Sequence, residues 1–248
     1  MRYIDTPGES PAILFLAGMG LPSTATYPRI AAEPEIRERR CIMPDLLGTG
    51  YSDAPARFSY TLEQHAATMA GLLDRLQIRG AVVVGHSMGG SVAIALAHTR
   101  PDLVSRLVLA EANLDPGGGM ASAWIAAQTE EAFVEEGFVA FQKMFWDRFE
   151  PGDEVESVPL GMVQVADARA LHRSATGLVA GTQPTMREML VQMTIPRLYV
   201  FGDQSLPDPD FNALPGMGVD VAVIAEAGHG LVWDNPADFA AVLRGFLR

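Results

Sequence analysis

Apolar-rich runs of four to eight residues alternate along this chain with longer stretches in which apolar side chains recur every three or four positions. The runs lie at residues 12–16, 41–44, 81–84, 103–110, 198–201 and 219–224. Runs with no polar alternation predict strands buried on both faces. The longer stretches predict helices. Thr61 with Gln64 has the spacing of a capping box, and Leu62, Ala66, Met69, Leu73 and Leu76 then form one apolar stripe, with His65 beside it as an ordinary helix residue. Asn235-Pro236 opens a last helix with Phe239, Val242, Leu243 and Phe246 on its core face. A short helix is expected over residues 22–32, and a short edge strand within the polar first ten residues. Strands that alternate with helices give an α/β fold, a mostly parallel central sheet covered by helices on both faces.

After Ala110 the pattern changes. Gly117-Gly118-Gly119 reads as a hinge, and residues 120–193 carry no strand signal. Trp124, Phe133, Phe138, Phe141, Phe145, Trp146 and Phe149 fall there, several at helical spacing, with methionines after them. Most of these side chains are expected to pack the segment's own core, and a minority to face a substrate. The organisation expected is a core of residues 1–115 and 194–248 with a helical cap, residues 116–193, inserted in it.

One stretch carries chemistry. Val82-Val83-Val84 leads into Gly85-His86-Ser87-Met88-Gly89-Gly90 and then an Ala-rich apolar helix at residues 91–99. A strand that turns straight into a helix through one serine must bend sharply, and glycines two places either side let the backbones pass closely. That is a nucleophile elbow, with Ser87 the nucleophile. Gly-x-Ser-x-Gly alone is a weak signal in a chain with 24 glycines; the strand before it and the helix after it make it specific.

A serine hydroxyl needs a base, and histidine suits neutral pH. His86 lies inside the elbow, and its side chain is expected to point away from that of Ser87; His65, His98 and His172 sit in helical patterns. His229 alone lies in a glycine-flanked loop beyond a strand, at the sheet edge that carries Ser87, and is the base by elimination and position.

Composition narrows the partners. A net charge of −12 argues against nucleic acid. No run of about 18 apolar residues predicts a membrane span, and the first residues lack a leader's apolar core. The single cysteine, Cys41, is expected to be a buried thiol in a reducing compartment. The expectation is a soluble cytoplasmic protein acting on a small, apolar molecule, with no cofactor and no metal.

Nucleophile and histidine in this order, with Asp45-Leu46-Leu47-Gly48-Thr49-Gly50-Tyr51-Ser52 and Gly228-His229 followed by Asn235-Pro236, resemble the α/β-hydrolase superfamily over nearly the whole chain. The resemblance implies an eight-stranded sheet with the site under a helical cap, and an oxyanion hole made by backbone N–H groups of Met19 and Met88. It implies hydrolysis of an ester, lactone or similar acyl bond. A carbon–carbon bond hydrolase with the same triad, or a receptor-like binding protein with little turnover, is the alternative. Three features depart from the pattern. Few residues precede the first core strand, so the first hairpin is shortened or missing. The loop after that strand reads Ala17-Gly18-Met19 where many relatives have His-Gly. The third departure is the acid. Three residues after the glycine ending the penultimate strand, where most relatives have aspartate, stands Ser205. Asp203 is expected to point elsewhere, and Asp208 is further along a proline-rich link. Glu111, at the end of the strand after the elbow, matches the acid position of dehalogenase-like, luciferase-like and lactonase-like relatives, and completes the expected Ser87, His229, Glu111 triad.

Overall fold

The computed structural model describes residues 1–146 and 161–248. Phe149 lies outside these residues, as do the side chains of Phe145 and Trp146. The apolar runs form strands β2 (Glu9–Leu16), β3 (Arg39–Pro44), β4 (Ala81–His86), β5 (Val104–Ala110), β6 (Arg197–Gly202) and β7 (Asp220–Ile224), joined at the edge by β1 (Tyr3–Thr6). They make one seven-stranded sheet in the order β1-β3-β2-β4-β5-β6-β7, parallel throughout except where β1 pairs antiparallel with β3. The eight strands implied by the resemblance are thus corrected to seven among the described residues. Among the described residues β1 precedes β2 and, paired with β3, forms that edge of the sheet.

Register explains why the strands read as continuous apolar runs. Ile13 and Phe15 of β2 and Val82 and Val84 of β4 pack on one face; Leu14, Leu16 and Val83 pack on the other, and all are fully buried. Helices Leu62–Arg75, Met88–Thr99 and Met186–Gln192 cover the second face. Tyr27, Ile30 and the helix Pro236–Phe246, through Phe239 and Leu243, cover the first. With water excluded from both faces, each fully buried Val, Leu, Ile or Phe contributes about 1.5–3 kcal/mol. Thr61 caps the helix Leu62–Arg75 by accepting from Gln64 N–H at 3.3 Å. Asp45 is fully buried and ties down the glycine-rich loop after β3, accepting from the N–H groups of Thr24 and Tyr51 at 3.0 Å each. Cys41 is a free, buried thiol.

Between β5 and β6 the described residues hold helices and no strand: Met120–Ala126, Glu130–Ala132, Phe138–Trp146, Ala168–Ala180 and Met186–Gln192. Gly117 and Gly118 take φ values of +112° and +65°, a path that L side chains rarely follow, at the start of this segment. Gly117 N–H donates to Val179 O at 2.8 Å, tying that turn to the helix Ala168–Ala180. No helix among the described residues is long and apolar enough to cross a membrane.

His65 is a packing residue of the helix Leu62–Arg75, as the helical pattern predicts. It is fully buried against Phe58 and Tyr60, with ring centroids 5.2 and 5.9 Å away, and neither ring nitrogen has a hydrogen-bond partner. Burial pushes its pKa down to about 4. The unfolded chain takes up this proton near pH 6.5, the folded chain only near pH 4, so His65 favours the fold above the first value and loses that contribution as pH falls through the window. The loss amounts to about 3 kcal/mol. His65→Phe is expected to flatten the pH dependence of urea-unfolding free energy between pH 6.5 and 4. Parallel curves for the two proteins would show that His65 does not titrate across unfolding.

Candidate active site

The carboxyl edge of the sheet gathers the residues that the sequence singles out. Ser87 sits between β4 and the helix Met88–Thr99 at φ +52° and ψ −126°, a conformation outside the favoured regions for L residues. Its N–H donates to Ala110 O of β5 at 2.9 Å. Two glycines allow this reversal. A Cβ added to Gly85 would lie 2.4 Å from Gly89 O, and one added to Gly89 would lie 2.3 Å from Leu16 O. No side chain fits either gap, so the elbow is pressed against its own helix and against the end of β2.

The loop after β2 runs alongside. Its start is fixed by Ala17 N–H donating to Ser23 Oγ at 3.0 Å and by Tyr27 OH donating to Leu16 O at 3.0 Å. A Cβ on Gly18 would come within 3.3 Å of Ser87 Cβ, so glycine is what lets this loop approach the serine. Among the described residues, the N–H groups of Met19 and Met88 donate to no protein acceptor. Two unengaged amides beside the serine can receive a developing oxyanion.

Glu111 follows β5 at φ +46°, a second strained residue on the same edge. Its side chain is 11% exposed, and Oε2 lies 3.1 Å from His229 Nδ1 while Oε1 accepts from Gly202 N–H at 2.9 Å. Burial pushes the Glu111 carboxyl up, but hydrogen bonds from His229, Ser205 and Gly202 outweigh it and hold the group below the ordinary glutamate range. Ser205, at the place where the resemblance implies an aspartate, thus helps to hold the Glu111 carboxyl down. Asp203 faces the other way. Its two oxygens accept from the N–H groups of Glu226 and Ala227 at 3.0 and 3.1 Å, ahead of His229 in the same loop. These bonds lower its pKa.

The His229 side chain is 59% exposed, and no hydrogen bond joins it to Ser87 Oγ among the described residues. Such bonds are often long in ligand-free sites and tighten around substrate. Both residues line one cavity of about 160 Å³. Its wall is mainly apolar: Met19 and Leu21 from the loop after β2, Ala121, Phe141 and Val163 from the segment between β5 and β6, and Trp233 beyond His229. No Lys or Arg is among these described lining residues.

His86 is also a lining residue of this cavity, with its ring Nε2 2.7 Å from His229 O. Sequence reasoning missed this contact because its partner is a main-chain oxygen, which no residue type marks. His98 and His172 lie outside the cavity lining, His172 with Nε2 2.9 Å from Gln128 O. The described residues contain no group of three or more His, Cys, Asp or Glu arranged to hold a metal ion.

Comparison with known proteins agrees with this architecture. The family model of the alpha/beta hydrolase fold matches residues 11–163. A 2-hydroxymuconate semialdehyde hydrolase of Pseudomonas sp. (strain CF600) is 41% identical over 93 residues, which is 38% of this chain and 32% of that protein. The matched region thus spans about a third of the length of the curated relatives that are 41–44% identical to it. Among solved structures, a thermophilic esterase from Thermogutta terrifontis superposes with a TM-score of 0.83 at 25% identity, covering 100% of this chain and 92% of that one. The enol-lactonase from Burkholderia xenovorans LB400 gives 0.80 at 23% identity, covering 99% and 95%, and shares the fold.

If the Glu111–His229 hydrogen bond serves catalysis, Glu111→Gln is expected to lower kcat on an activated ester by about 10⁴-fold, the cost of a wrong tautomer at the base. Asp203→Asn, which alters only loop backbone contacts, is expected to keep most of the activity. The reverse ranking would move the acid to the end of β6.

Proposed function

The chain belongs to the alpha/beta hydrolase fold family, and from that premise we propose that it is a serine hydrolase that opens a carboxylic ester, lactone or similar acyl bond through an acyl-enzyme on Ser87. The observation that carries the reading is the convergence of Ser87, His229 and Glu111 on one sheet edge, with Glu111 on His229 Nδ1 and with serine and histidine facing one apolar cavity.

Ser87 Oγ attacks the carbonyl carbon as its proton passes to His229 Nε2. Glu111 accepts from Nδ1–H, which fixes the tautomer and stabilises the imidazolium. The Met19 and Met88 amides stabilise the oxyanion of the tetrahedral intermediate. Collapse of that intermediate expels the alcohol, protonated by His229, and leaves the acyl group on Ser87. Water, deprotonated by His229, attacks the acyl carbon; the acid is released and Ser87 regains its proton. No cofactor or metal takes part in these steps.

The described part of the segment 116–193 acts as the lid of this site. Ala121, Phe141 and Val163 bring three of its side chains to the cavity wall, and Trp124 stacks on Phe141 at 6.3 Å between ring centroids. An apolar wall, no cation among the described lining residues and a net charge of −12 all favour a small neutral acyl substrate over an anion. The likeness to a 2-hydroxymuconate semialdehyde hydrolase supports carbon–carbon bond cleavage as the second reading. A receptor-like protein would share the triad without turnover.

A panel of neutral aryl esters, lactones and a carboxylate-bearing β-diketone separates these readings. Neutral esters or lactones are expected to turn over, with Ser87→Ala inactive and unchanged in Tm. A fluorophosphonate is expected to label Ser87 alone. Phe141→Ala is expected to shift preference toward longer acyl chains while sparing a small acetate ester. Turnover by Ser87→Ala, or labelling at another serine, would overturn the serine-hydrolase reading; preference for the β-diketone would select the second.

A further inference from the structure

His86 precedes the nucleophile in the chain, is 1% exposed, and holds the backbone of the loop that carries the base. Its Nε2 lies 2.7 Å from the carbonyl oxygen of His229, across 143 residues of sequence. A carbonyl can only accept, so Nε2 carries the proton and Nδ1 is the unprotonated nitrogen. Nδ1 is buried without a partner. It faces Gly18, where an added Cβ would lie 3.1 Å away. A second proton on this ring would find no acceptor at Nδ1. Burial, with the nearby His229 ring, accordingly pushes the His86 pKa down to about 3. The imidazole is a fixed neutral donor and not a second base.

The loop is pinned at several backbone groups. Asn235 Nδ2 donates to Ala225 O at 3.1 Å. Asp203 takes the N–H groups of Glu226 and Ala227, Gln204 N–H donates to Ala227 O at 2.9 Å, and Asp234 accepts from Gly228 N–H at 3.0 Å. All of these come from the turn after β6 or the chain just beyond His229. They fix the loop to its own neighbours but not to the elbow. His86 supplies that link. Its ring also packs against His229 and edge-on to Trp233, with centroids 4.9 and 5.3 Å away, so it has little freedom to turn.

We propose that His86 is a positioning residue that sets the separation of base and nucleophile by hydrogen-bonding the His229 main chain from the residue next to Ser87. The idea rests on Ser87 and His229 acting as nucleophile and base, so Ser87→Ala accompanies the test. The His229 ring is anchored by Glu111 at Nδ1 and its backbone by His86 at the carbonyl. Two anchors at opposite ends of one residue leave Nε2 a narrow range of positions over the serine. Without the second anchor the base keeps its acid but not its place, and misplacement by about 1 Å costs about 100-fold.

The experiment compares wild type, His86→Leu, His86→Gln and Ser87→Ala on a small neutral ester, with Tm and with the rate of fluorophosphonate labelling. His86→Leu, which fills the space without a donor, is expected to lose about 100-fold in kcat and in labelling rate while KM holds. His86→Gln, whose amide nitrogen reaches the place of Nε2, is expected to recover most of both. A wild-type kcat in His86→Leu, a change confined to KM, or a His86→Gln as slow as His86→Leu would overturn the positioning role. If His86→Leu does not fold, His86→Gln decides alone: near-wild-type kcat supports the role and a large loss overturns it. An inactive Ser87→Ala beside a fully active His86→Leu would leave the hydrolase reading standing and remove this one. An active Ser87→Ala would remove both.

Discussion

The site hangs on a steric constraint, the reversal of the chain at Ser87. Gly85 and Gly89 each fill a gap no side chain can enter, and Gly90 is similarly close, its added Cβ 2.4 Å from Ala112 Cβ. The close fit clamps β4, the following helix and the ends of β2 and β5 into one body. The strained φ at Ser87 is held by that packing rather than by local preference. The serine therefore stands at the sheet tip with its orientation decided by buried contacts beneath it, and the loops from β2, β5 and β7 bring Met19, Glu111 and His229 to it. Parallel strands make this possible, since every strand from β2 to β7 delivers its following loop to the same edge.

Charge follows from that placement. Glu111 is mostly buried, yet three donors keep its carboxyl ionised below its ordinary range, so a carboxylate stands ready on Nδ1 of an exposed imidazole. His86, a few ångströms away, is kept neutral by burial. The two neighbouring imidazoles thus differ in exposure, His86 being 1% exposed and the His229 side chain 59%.

Much of the fold was legible because two-sided burial writes itself into sequence as uninterrupted apolar runs, and Val82-Val83-Val84 before Gly85 could only be an interior strand. The elbow was legible because a reversal this tight admits only glycine at its closest approaches. The meeting of Glu111 with His229 was implied by the family resemblance, and their hydrogen bond at 3.1 Å is observed; their catalytic roles belong to the proposal. Other features were hidden. The count of strands depended on how a polar N-terminus folds at the sheet edge, where pattern is weakest. His65 reads as a helix residue beside the core stripe, and its packing against Phe58 and Tyr60, from the preceding loop, is not written in that pattern. His86 was hidden for a different reason: its partner is a main-chain oxygen, and no residue type announces a carbonyl.

The central claim is that Ser87, His229 and Glu111 act as one unit, and a double-mutant cycle tests it most directly. Residues that work on one transition state lose their effects together, whereas independent groups lose them additively. The measurement is kcat on a neutral activated ester for Ser87→Ala, Glu111→Gln and the double variant. The account predicts that the double variant is no slower than Ser87→Ala alone, because without the nucleophile the carboxylate has no proton transfer to support. A double variant slower than Ser87→Ala by the full factor of Glu111→Gln would mean that the two act separately, and would contradict the triad.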